Sequence, residues 1–262
     1  CRESVYPKLW ENPRKNSKGY SPVCRNEWVD SKCHKPKIKC TECQYQDFPP
    51  LDAVAVKSHL EGVHTIGTYA IREDDTCTFL ASDFDEAGWE KDSFIYQKTA
   101  KGLGIDVAIE RSRSGQGAHA WILFSEPVSA RLARSLGTLI MNKAATESRT
   151  LSLKSFDRFF PNQDYLPRGG FGNLIALPLQ KKARDAGNSV FIDNSLQAFI
   201  DQWAFLASIR RLSFHDLQSI LRDALPVRIR KDVEDISYAT DLSLFQTTDE
   251  PTPLIAGEKM EI

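Results

Sequence analysis

A short apolar segment, Cys77 to Leu80, leads almost directly into Asp83 and Asp85, and this order constrains the fold strongly. In a strand, side chains alternate between the two faces, so both carboxylates point the same way while Phe84 points into the opposite layer. Carboxylate oxygens are preferred ligands of Mg²⁺ and Mn²⁺, and a pair of such ions can catalyse phosphoryl transfer. A solvated turn is the usual explanation of an isolated Asp-x-Asp pair, but the apolar segment predicts a buried strand that ends at a metal site.

A second segment, Glu110 to Phe124, contains the groups that a triphosphate needs. Two arginines precede a glycine-rich turn, whose backbone N–H groups can approach phosphate oxygens, and a histidine follows the turn. Trp121 to Phe124 is typical of a buried strand, so the segment predicts a hairpin with its polar turn at one end. The candidate nucleotide-binding residues are Arg111, Arg113, Ser114, Gly115, Gly117 and His119.

Together the two segments resemble the motifs of the archaeo-eukaryotic primases, also called primase-polymerases. The first motif of this family is an apolar strand ending in Asp-x-Asp, which Asp83 and Asp85 match. The second is Ser-Gly-x-Gly-x-His, which Ser114 to His119 match. Five stretches look like the primase domain of TOTE conflict systems in particular: Trp10 to Asn12, Asn26 to Trp28, Glu110 to Gly115, Phe160 to Asp164 and Gly170 to Leu174. The resemblance extends from about Tyr6 to Leu212.

The third motif of the family is an aspartate shortly before a strand, and two residues qualify here. In archaeal members the aspartate lies about ten residues before a Leu-Ile-x-Leu-Pro strand, and Asp164 lies that far before Leu174 to Pro178. Asp157 follows an apolar residue, which also fits the family pattern. The spacing favours Asp164 as the third metal ligand and leaves Asp157 as the alternative.

The order of predicted elements and the resemblance together imply a fold and an activity. Strands and helices intermixed with hairpins indicate an α/β or α+β protein, and the resemblance implies an RRM-like antiparallel sheet joined to a second α/β unit. It also implies a template-dependent DNA primase-polymerase in which Asp83, Asp85 and Asp164 hold two Mg²⁺ or Mn²⁺ ions. The implied partners are a single-stranded DNA template, NTP or dNTP substrates, and helicase and nuclease modules of the same polypeptide or operon. The alternatives are a non-catalytic zinc-containing nucleic-acid-binding module and another Asp-x-Asp metal-dependent transferase or nuclease.

Four of the six cysteines lie close together near the start of the chain, with the spacing Cys-x8-Cys-x6-Cys-x2-Cys. They are Cys24, Cys33, Cys40 and Cys43. The chain has no export signal, so disulfides are not expected, whereas four thiolates fit a tetrahedral structural Zn²⁺. The sequence between them is basic and poor in apolar residues, so a metal would supply stability that a small core cannot. His34 could replace one of the four ligands.

Charge is distributed unevenly, although the net charge is −1. Residues 1–46 contain ten lysines and arginines against five acids, whereas residues 232–262 contain eight acids and one lysine. The excess of positive charge in residues 1–46, called here the basic front, indicates contacts with the phosphate backbone of nucleic acid. The composition changes near Phe48 to Pro50, which indicates a domain boundary there. We therefore predict three parts: a zinc-binding module over residues 1–48, a catalytic core over residues 49–230, and an acidic tail or linker over residues 231–262.

The chain contains no apolar run of about 18 residues and no basic-then-apolar export signal at its start. We therefore expect a soluble, cytoplasmic protein with no membrane segment. Because the sequence begins with Cys1 and not with methionine, we also expect it to be part of a longer polypeptide.

Overall fold

The computed structural model describes residues 2–148, 151–152 and 154–224, which contain nine strands, six α-helices and one short 3₁₀-helix (Pro13–Lys15). The strands are β1 (Pro7–Asn12), β2 (Ser17–Pro22), β3 (Gly67–Tyr69), β4 (Thr76–Asp85), β5 (Ala108–Arg111), β6 (Gly117–Ser129), β7 (Phe156–Phe160), β8 (Leu174–Ala176) and β9 (Val190–Phe191). The helices are α1 (Ala53–Leu60), α2 (Trp89–Gly102), α3 (Ala130–Glu147), α4 (Lys181–Asp185), α5 (Gln202–Ser208) and α6 (Phe214–Ala224). No helix among these residues is long and apolar enough to cross a bilayer.

The strands form three sheets, and every pair of neighbouring strands is antiparallel. The central sheet has the order β7-β4-β6-β5-β9, while β1 pairs with β2 and β3 pairs with β8. This mixed α/β fold with an antiparallel sheet confirms the predicted fold class. The zinc-binding module and the three-part domain division remain predictions, and the expected acidic tail lies outside the described residues.

The strand that carries the aspartates, β4, lies inside the central sheet between β6 and β7. Seven of its ten residues are buried, and the exposed Asp85 ends it. In the register, Asp83 lies opposite His119 of β6 and Arg158 of β7. The predicted buried strand is therefore confirmed, and its two carboxylates lie at the end of the strand.

Helices α2 and α3 contact each other and the central strands β4 and β6. The side chain of Ser129 caps α3 by accepting a hydrogen bond from the backbone N–H of Leu132, 3.3 Å away. Leu132, Leu136 and Ile140 are buried at helical spacing. Each such side chain contributes roughly 1.5–3 kcal/mol on burial, which anchors the helix to the sheet.

One predicted helix begins later than expected. Apolar residues at Phe199, Trp203 and Leu206 predict a helix that starts at Ser195. The helix α5 begins instead at Gln202, where the carboxylate of Asp201 caps it. The carboxylate of Asp193 instead accepts hydrogen bonds from the backbone N–H groups of Ser195 and Gln197, at 2.8 and 3.0 Å. A local side-chain acceptor therefore holds this segment in a turn, which competes with helix formation.

Candidate active site

The carboxylates of Asp83, Asp85 and Asp157 form a compact acidic cluster at the end of β4. One oxygen from each residue lies within 4.8 Å of the other two. In the described ranges, no other group of three or more His, Cys, Asp or Glu residues has its ligand atoms this close. Asp83 is only 8% exposed, whereas Asp85 and Asp157 are exposed. The cluster thus has one buried anchor and two carboxylates open to solvent.

A β-bulge in β7 brings Asp157 into this cluster. Asp83 lies opposite Arg158, and the next residue of β4, Phe84, lies opposite Phe156. Asp157 is therefore an extra residue with no partner in the register. In a regular strand it would lie opposite Phe84 and would point away from Asp83, because side chains alternate between the faces. A bulge re-aims the extra side chain, and here it joins the acids of β4.

Asp164, which the motif spacing favours as the third ligand, lies outside the acidic cluster. Its carboxylate forms an ion pair with Arg134 of α3. The motif spacing would bring Asp164 to the acids of β4 only if the strand beginning at Leu174 lay beside β4. That strand, β8, pairs with β3 in a separate sheet, and β7 is the neighbour of β4. The geometry therefore favours Asp157 in place of Asp164.

The acidic cluster has the electrostatics of a cation site. Burial raises the pKa of Asp83 to about 6, and the charges of Asp85 and Asp157 add to the rise while His119 and Arg158 oppose it. Oδ1 of Asp83 is buried and has no hydrogen-bond partner within the described chain. A buried carboxylate oxygen that accepts no hydrogen bond and lies beside two further carboxylates fits a divalent cation, which would stabilise all three negative charges.

The predicted nucleotide ligand His119 lies between two carboxylates. Its Nδ1 lies 3.0 Å from Oε2 of Glu110, and its Nε2 lies 3.5 Å from Oδ1 of Asp83. Burial lowers the pKa of His119, but the charge and hydrogen bond of Glu110 and the charges of the acidic cluster outweigh this effect and raise it. The arrangement favours an imidazolium whose Nε2–H side faces the acidic cluster.

Glu110 is a residue of the site that the sequence reasoning missed. It is buried, and its carboxylate accepts hydrogen bonds from Nε1 of Trp121 at 2.9 Å and from the hydroxyl of Ser189 at 3.2 Å, in addition to His119. The sequence does contain a signal for Glu110, because a charged residue inside an apolar strand needs a polar partner in the folded protein. The β5–β6 register supplies that partner by placing Glu110 opposite His119.

The glycine turn, defined here as Ser112 to Gly117, lies against the acidic cluster. Its hydrogen bonds include Gly115 N–H to the carbonyl of Ser112, at 3.0 Å, and Gln116 N–H to the hydroxyl of Ser114, at 3.2 Å. Gly117 pairs with Asp85, and a Cβ at this glycine would lie only 2.5 Å from Oδ1 of that aspartate. The close approach of the two strands at this point therefore requires glycine.

The structure gives different surroundings to the two arginines that were predicted to bind the nucleotide. The guanidinium of Arg111 donates to the carbonyls of Gly187 and Leu196, at 2.8 and 2.6 Å. It therefore ties β5 to the segment around β9. The side chain of Arg113 is half-buried and has no hydrogen bond or ion pair with the described residues. Of the two, only Arg113 has a guanidinium available for phosphate.

The four cysteines of the basic front line one small pocket, which also includes His34 and Lys35. They are Cys24, Cys33, Cys40 and Cys43, all half-buried free thiols. Hydrogen bonds from backbone N–H groups of Lys35 and Trp28 lower the pKa of Cys33, while burial raises that of Cys40 against the charge of Lys35. In the described part of the chain, no three of these sulfurs lie within 4.8 Å of one another, as the oxygens of the three aspartates do. Zinc binding here remains a prediction.

Comparisons with known proteins cover most of the chain. Residues 1–220 match a family model described as the archaeo-eukaryotic primase domain of the TOTE conflict system. No curated protein matches the chain. Among solved structures, the polymerase domain from Mycobacterium tuberculosis ligase D in complex with DNA has 16% sequence identity and a TM-score of 0.41, with 88% of this chain and 85% of that chain covered. Because the family model matches most of the chain, the protein belongs to the archaeo-eukaryotic primase domain family of TOTE conflict systems.

Proposed function

We propose that this protein is a template-dependent nucleotidyltransferase that starts and extends primers on single-stranded DNA. The observation that carries the proposal is the acidic cluster of Asp83, Asp85 and Asp157 at the end of a buried strand, beside His119 and the glycine turn. Family membership supports the same class of reaction. In that reaction a 3′-hydroxyl attacks the α-phosphate of a nucleoside triphosphate, the new phosphodiester forms, and pyrophosphate leaves.

Asp83, Asp85 and Asp157 would hold two Mg²⁺ or Mn²⁺ ions. Three carboxylates whose oxygens lie within 4.8 Å of one another, with Asp83 as the buried member, support this ligand set. Such ions, when bound, lower the pKa of the attacking hydroxyl and neutralise the triphosphate. Asp157 takes the place of Asp164 in this set, because the carboxylate of Asp157 lies beside those of Asp83 and Asp85, whereas Asp164 lies outside the acidic cluster.

His119 and the glycine turn would orient the triphosphate. The Nδ1–H of His119 is held by Glu110, which leaves the Nε2–H to donate to a phosphate oxygen near the acidic cluster. The hydroxyl of Ser114, which accepts from the backbone N–H of Gln116, offers a further donor at the turn. Arg111 is left out of this role, because backbone carbonyls already accept from its guanidinium.

The basic front would contact the DNA template. Trp28 is 69% exposed and Trp10 is 44% exposed, and the ammonium of Lys35 lies 5.9 Å from the ring centroid of Trp28. Aromatic faces beside cations are the usual means of binding single strands without sequence preference. Helicase and nuclease modules of the same polypeptide or operon would supply the other activities of the system.

The four cysteines Cys24, Cys33, Cys40 and Cys43 would bind a structural zinc ion. Four thiols line one pocket, and backbone N–H groups are directed at the sulfur of Cys33, which supports metal binding there. Four thiolate ligands would leave no open position on a zinc ion. Metal analysis of the purified protein should therefore find about one zinc per chain. A Cys40→Ser variant that keeps both the zinc and the thermal stability of the wild type would contradict the assignment.

Extension of a primed single-stranded template tests the proposed transfer reaction. Wild-type protein with Mn²⁺ and labelled nucleotides should lengthen the primer, and an Asp83→Asn variant should not, although it remains folded. A non-catalytic nucleic-acid-binding module would instead bind the template in both forms and lengthen the primer in neither. Shortening of the template or primer would indicate a nuclease.

A further inference from the structure

Asp92 is a buried carboxylate that does not belong to the acidic cluster. It lies in the first turn of α2 and is 2% exposed. No lysine, arginine or histidine forms an ion pair with it in the described part of the chain. The N-terminal end of a helix favours a negative charge, which offsets part of the cost of burial. The rest must come from hydrogen bonds, because a buried carboxylate without partners is strongly destabilising.

The hydrogen bonds to Asp92 come from the segment that precedes β7. The hydroxyls of Ser155 and Ser152 donate to its Oδ2, at 2.7 and 3.0 Å. The backbone N–H of Ser152 donates to its Oδ1 at 3.3 Å. Ser155 is itself only 1% exposed, so this contact is shielded from water. Asp92 therefore fastens the start of β7 to the start of α2.

Ser155 also connects Asp92 to a member of the acidic cluster. While its hydroxyl binds Asp92, its backbone carbonyl accepts a hydrogen bond from the N–H of Asp85 at 2.6 Å. Asp85 ends β4, and α2 begins only four residues later. The end of β4, the first turn of α2 and the segment before β7 therefore form one closed ring of covalent and hydrogen bonds.

This ring lies directly beside the bulge of β7. Asp157, the extra residue of the bulge, follows Ser155 by two positions, and Phe156 between them lies opposite Phe84. If the segment before β7 slipped by one residue along β4, Asp157 would lie opposite Phe84. Its carboxylate would then point away from the acidic cluster, because side chains alternate between the faces. The hydrogen bond between Ser155 and Asp92 opposes this slip.

We propose that Asp92 is a positioning residue of the metal site and acts through Ser155. It holds the register that turns Asp157 toward the acids of β4, and it fixes the backbone beside Asp85. The inference rests on the proposed function and deepens it, because it adds a buried side chain to the groups that set the positions of the metal ligands. Loss of a residue that orients metal ligands typically lowers metal affinity about 10–100-fold.

Equilibrium binding of Mn²⁺ to the full chain, without nucleotide or template, tests this inference. Ser155→Ala removes the hydroxyl that binds Asp92 and keeps the carbonyl that binds Asp85. It should weaken Mn²⁺ binding about tenfold.

Ser152→Ala is the matched control, since it removes a hydrogen bond to the same oxygen of Asp92. Ser152 has no hydrogen bond to β4 in the described ranges, so the Mn²⁺ affinity of this variant should stay within about twofold of wild type. Both variants lose one buried hydrogen bond and should have similarly lowered melting temperatures.

A second comparison uses Asp92→Asn alone and together with Ser155→Ala. Because the two residues act through one hydrogen bond, the double variant should bind Mn²⁺ no more weakly than the weaker single variant. In primer extension, the losses caused by these variants should disappear at saturating Mn²⁺. A purely structural role for Asp92 would lower the melting temperature and leave the Mn²⁺ affinity of the folded protein unchanged.

Three results would overturn the inference. The first is a folded Ser155→Ala or Asp92→Asn variant that binds Mn²⁺ like wild type. The second is an equal loss of Mn²⁺ affinity in Ser155→Ala and Ser152→Ala. The third is a wild type that binds no Mn²⁺. If the wild type binds Mn²⁺ without extending primers and Ser155→Ala weakens that binding, the proposed polymerase activity fails and the positioning role stands. If the wild type extends primers and Ser155→Ala binds Mn²⁺ normally, only the positioning role fails.

Discussion

Nδ1 of His119 lies 3.0 Å from Oε2 of Glu110, and this contact fixes the orientation of the imidazole beside the acidic cluster. The two residues face each other across the β5–β6 hairpin, on either side of the glycine turn. Glu110 is itself held by Trp121 and Ser189. A buried carboxylate that holds a ring nitrogen in this way positions the other nitrogen for its ligand.

Glu110→Gln should lower the rate of nucleotide incorporation about 10–100-fold, because the neutral amide no longer stabilises the imidazolium. Ser189→Ala removes a different hydrogen bond to Glu110 and leaves the one to His119, so its rate should stay near that of wild type. Steady-state incorporation on a primed template, with melting curves for both variants, makes the comparison. A wild-type rate for Glu110→Gln would show that His119 needs no such partner.

Asp157→Asn should abolish incorporation without unfolding the protein, because it removes one carboxylate of the acidic cluster. Asp164→Asn should retain synthesis. It breaks a half-exposed ion pair with Arg134, which costs less than about 1 kcal/mol of unfolding free energy. Incorporation and Mn²⁺ binding by both variants measure the difference. An active Asp157→Asn beside an inactive, folded Asp164→Asn would reverse the assignment.

The elements near the site differ in how well the sequence predicts them. The strand β4, the hairpin around the glycine turn and the capped helix α3 follow from local periodicity and capping, and all three are present. The position of Asp157 does not follow, because a period of two would turn this residue away from Asp83. Only the bulge in β7 reverses its direction, and a bulge depends on the pairing of two strands that are far apart in sequence.

The contacts around the glycine turn could not be predicted from the sequence either. Arg111 and Arg113 are equivalent cations in the sequence. In the structure, backbone carbonyls that are distant in sequence accept hydrogen bonds from Arg111, whereas Arg113 lines a cavity. Lys182 reaches the same cavity from about seventy residues further along the chain. Such long-range contacts leave no periodic signal, whereas the motif residues themselves are close in sequence.

Gly117→Ala should weaken metal binding and incorporation strongly, because the new Cβ would lie 2.5 Å from Oδ1 of Asp85 and 2.6 Å from the carbonyl oxygen of Phe84. Real Cβ atoms do not approach other atoms so closely, so the strand or the carboxylate must move. Gly102→Ala, at the end of α2, is the control, since a Cβ there meets nothing within 4 Å. Equal Mn²⁺ affinity in the two variants would refute the proposed close packing against Asp85.

Asp83→Asn should stabilise the fold when no Mg²⁺ or Mn²⁺ is added, although it removes activity. The pKa of Asp83 is raised from 3.8 to about 6, so keeping this residue ionised at neutral pH costs the fold about 3 kcal/mol. Because the folded state binds the proton more tightly, the penalty is full above pH 6 and vanishes toward pH 4. The melting temperature of the variant should exceed that of wild type by a few degrees at pH 7.5 and match it near pH 4. A lower melting temperature at pH 7.5 would contradict the electrostatic account of the acidic cluster.

Synthesis on a circular single-stranded DNA template without any primer is the most direct measurement of the proposed activity. Labelled NTPs and dNTPs are supplied in separate reactions with Mn²⁺ or Mg²⁺, and the Asp157→Asn variant provides the control. We predict short labelled products that need the template and the wild-type protein. Absence of products from the wild type under every one of these conditions, or the same products from the Asp157→Asn variant, would contradict a primase centred on the acidic cluster.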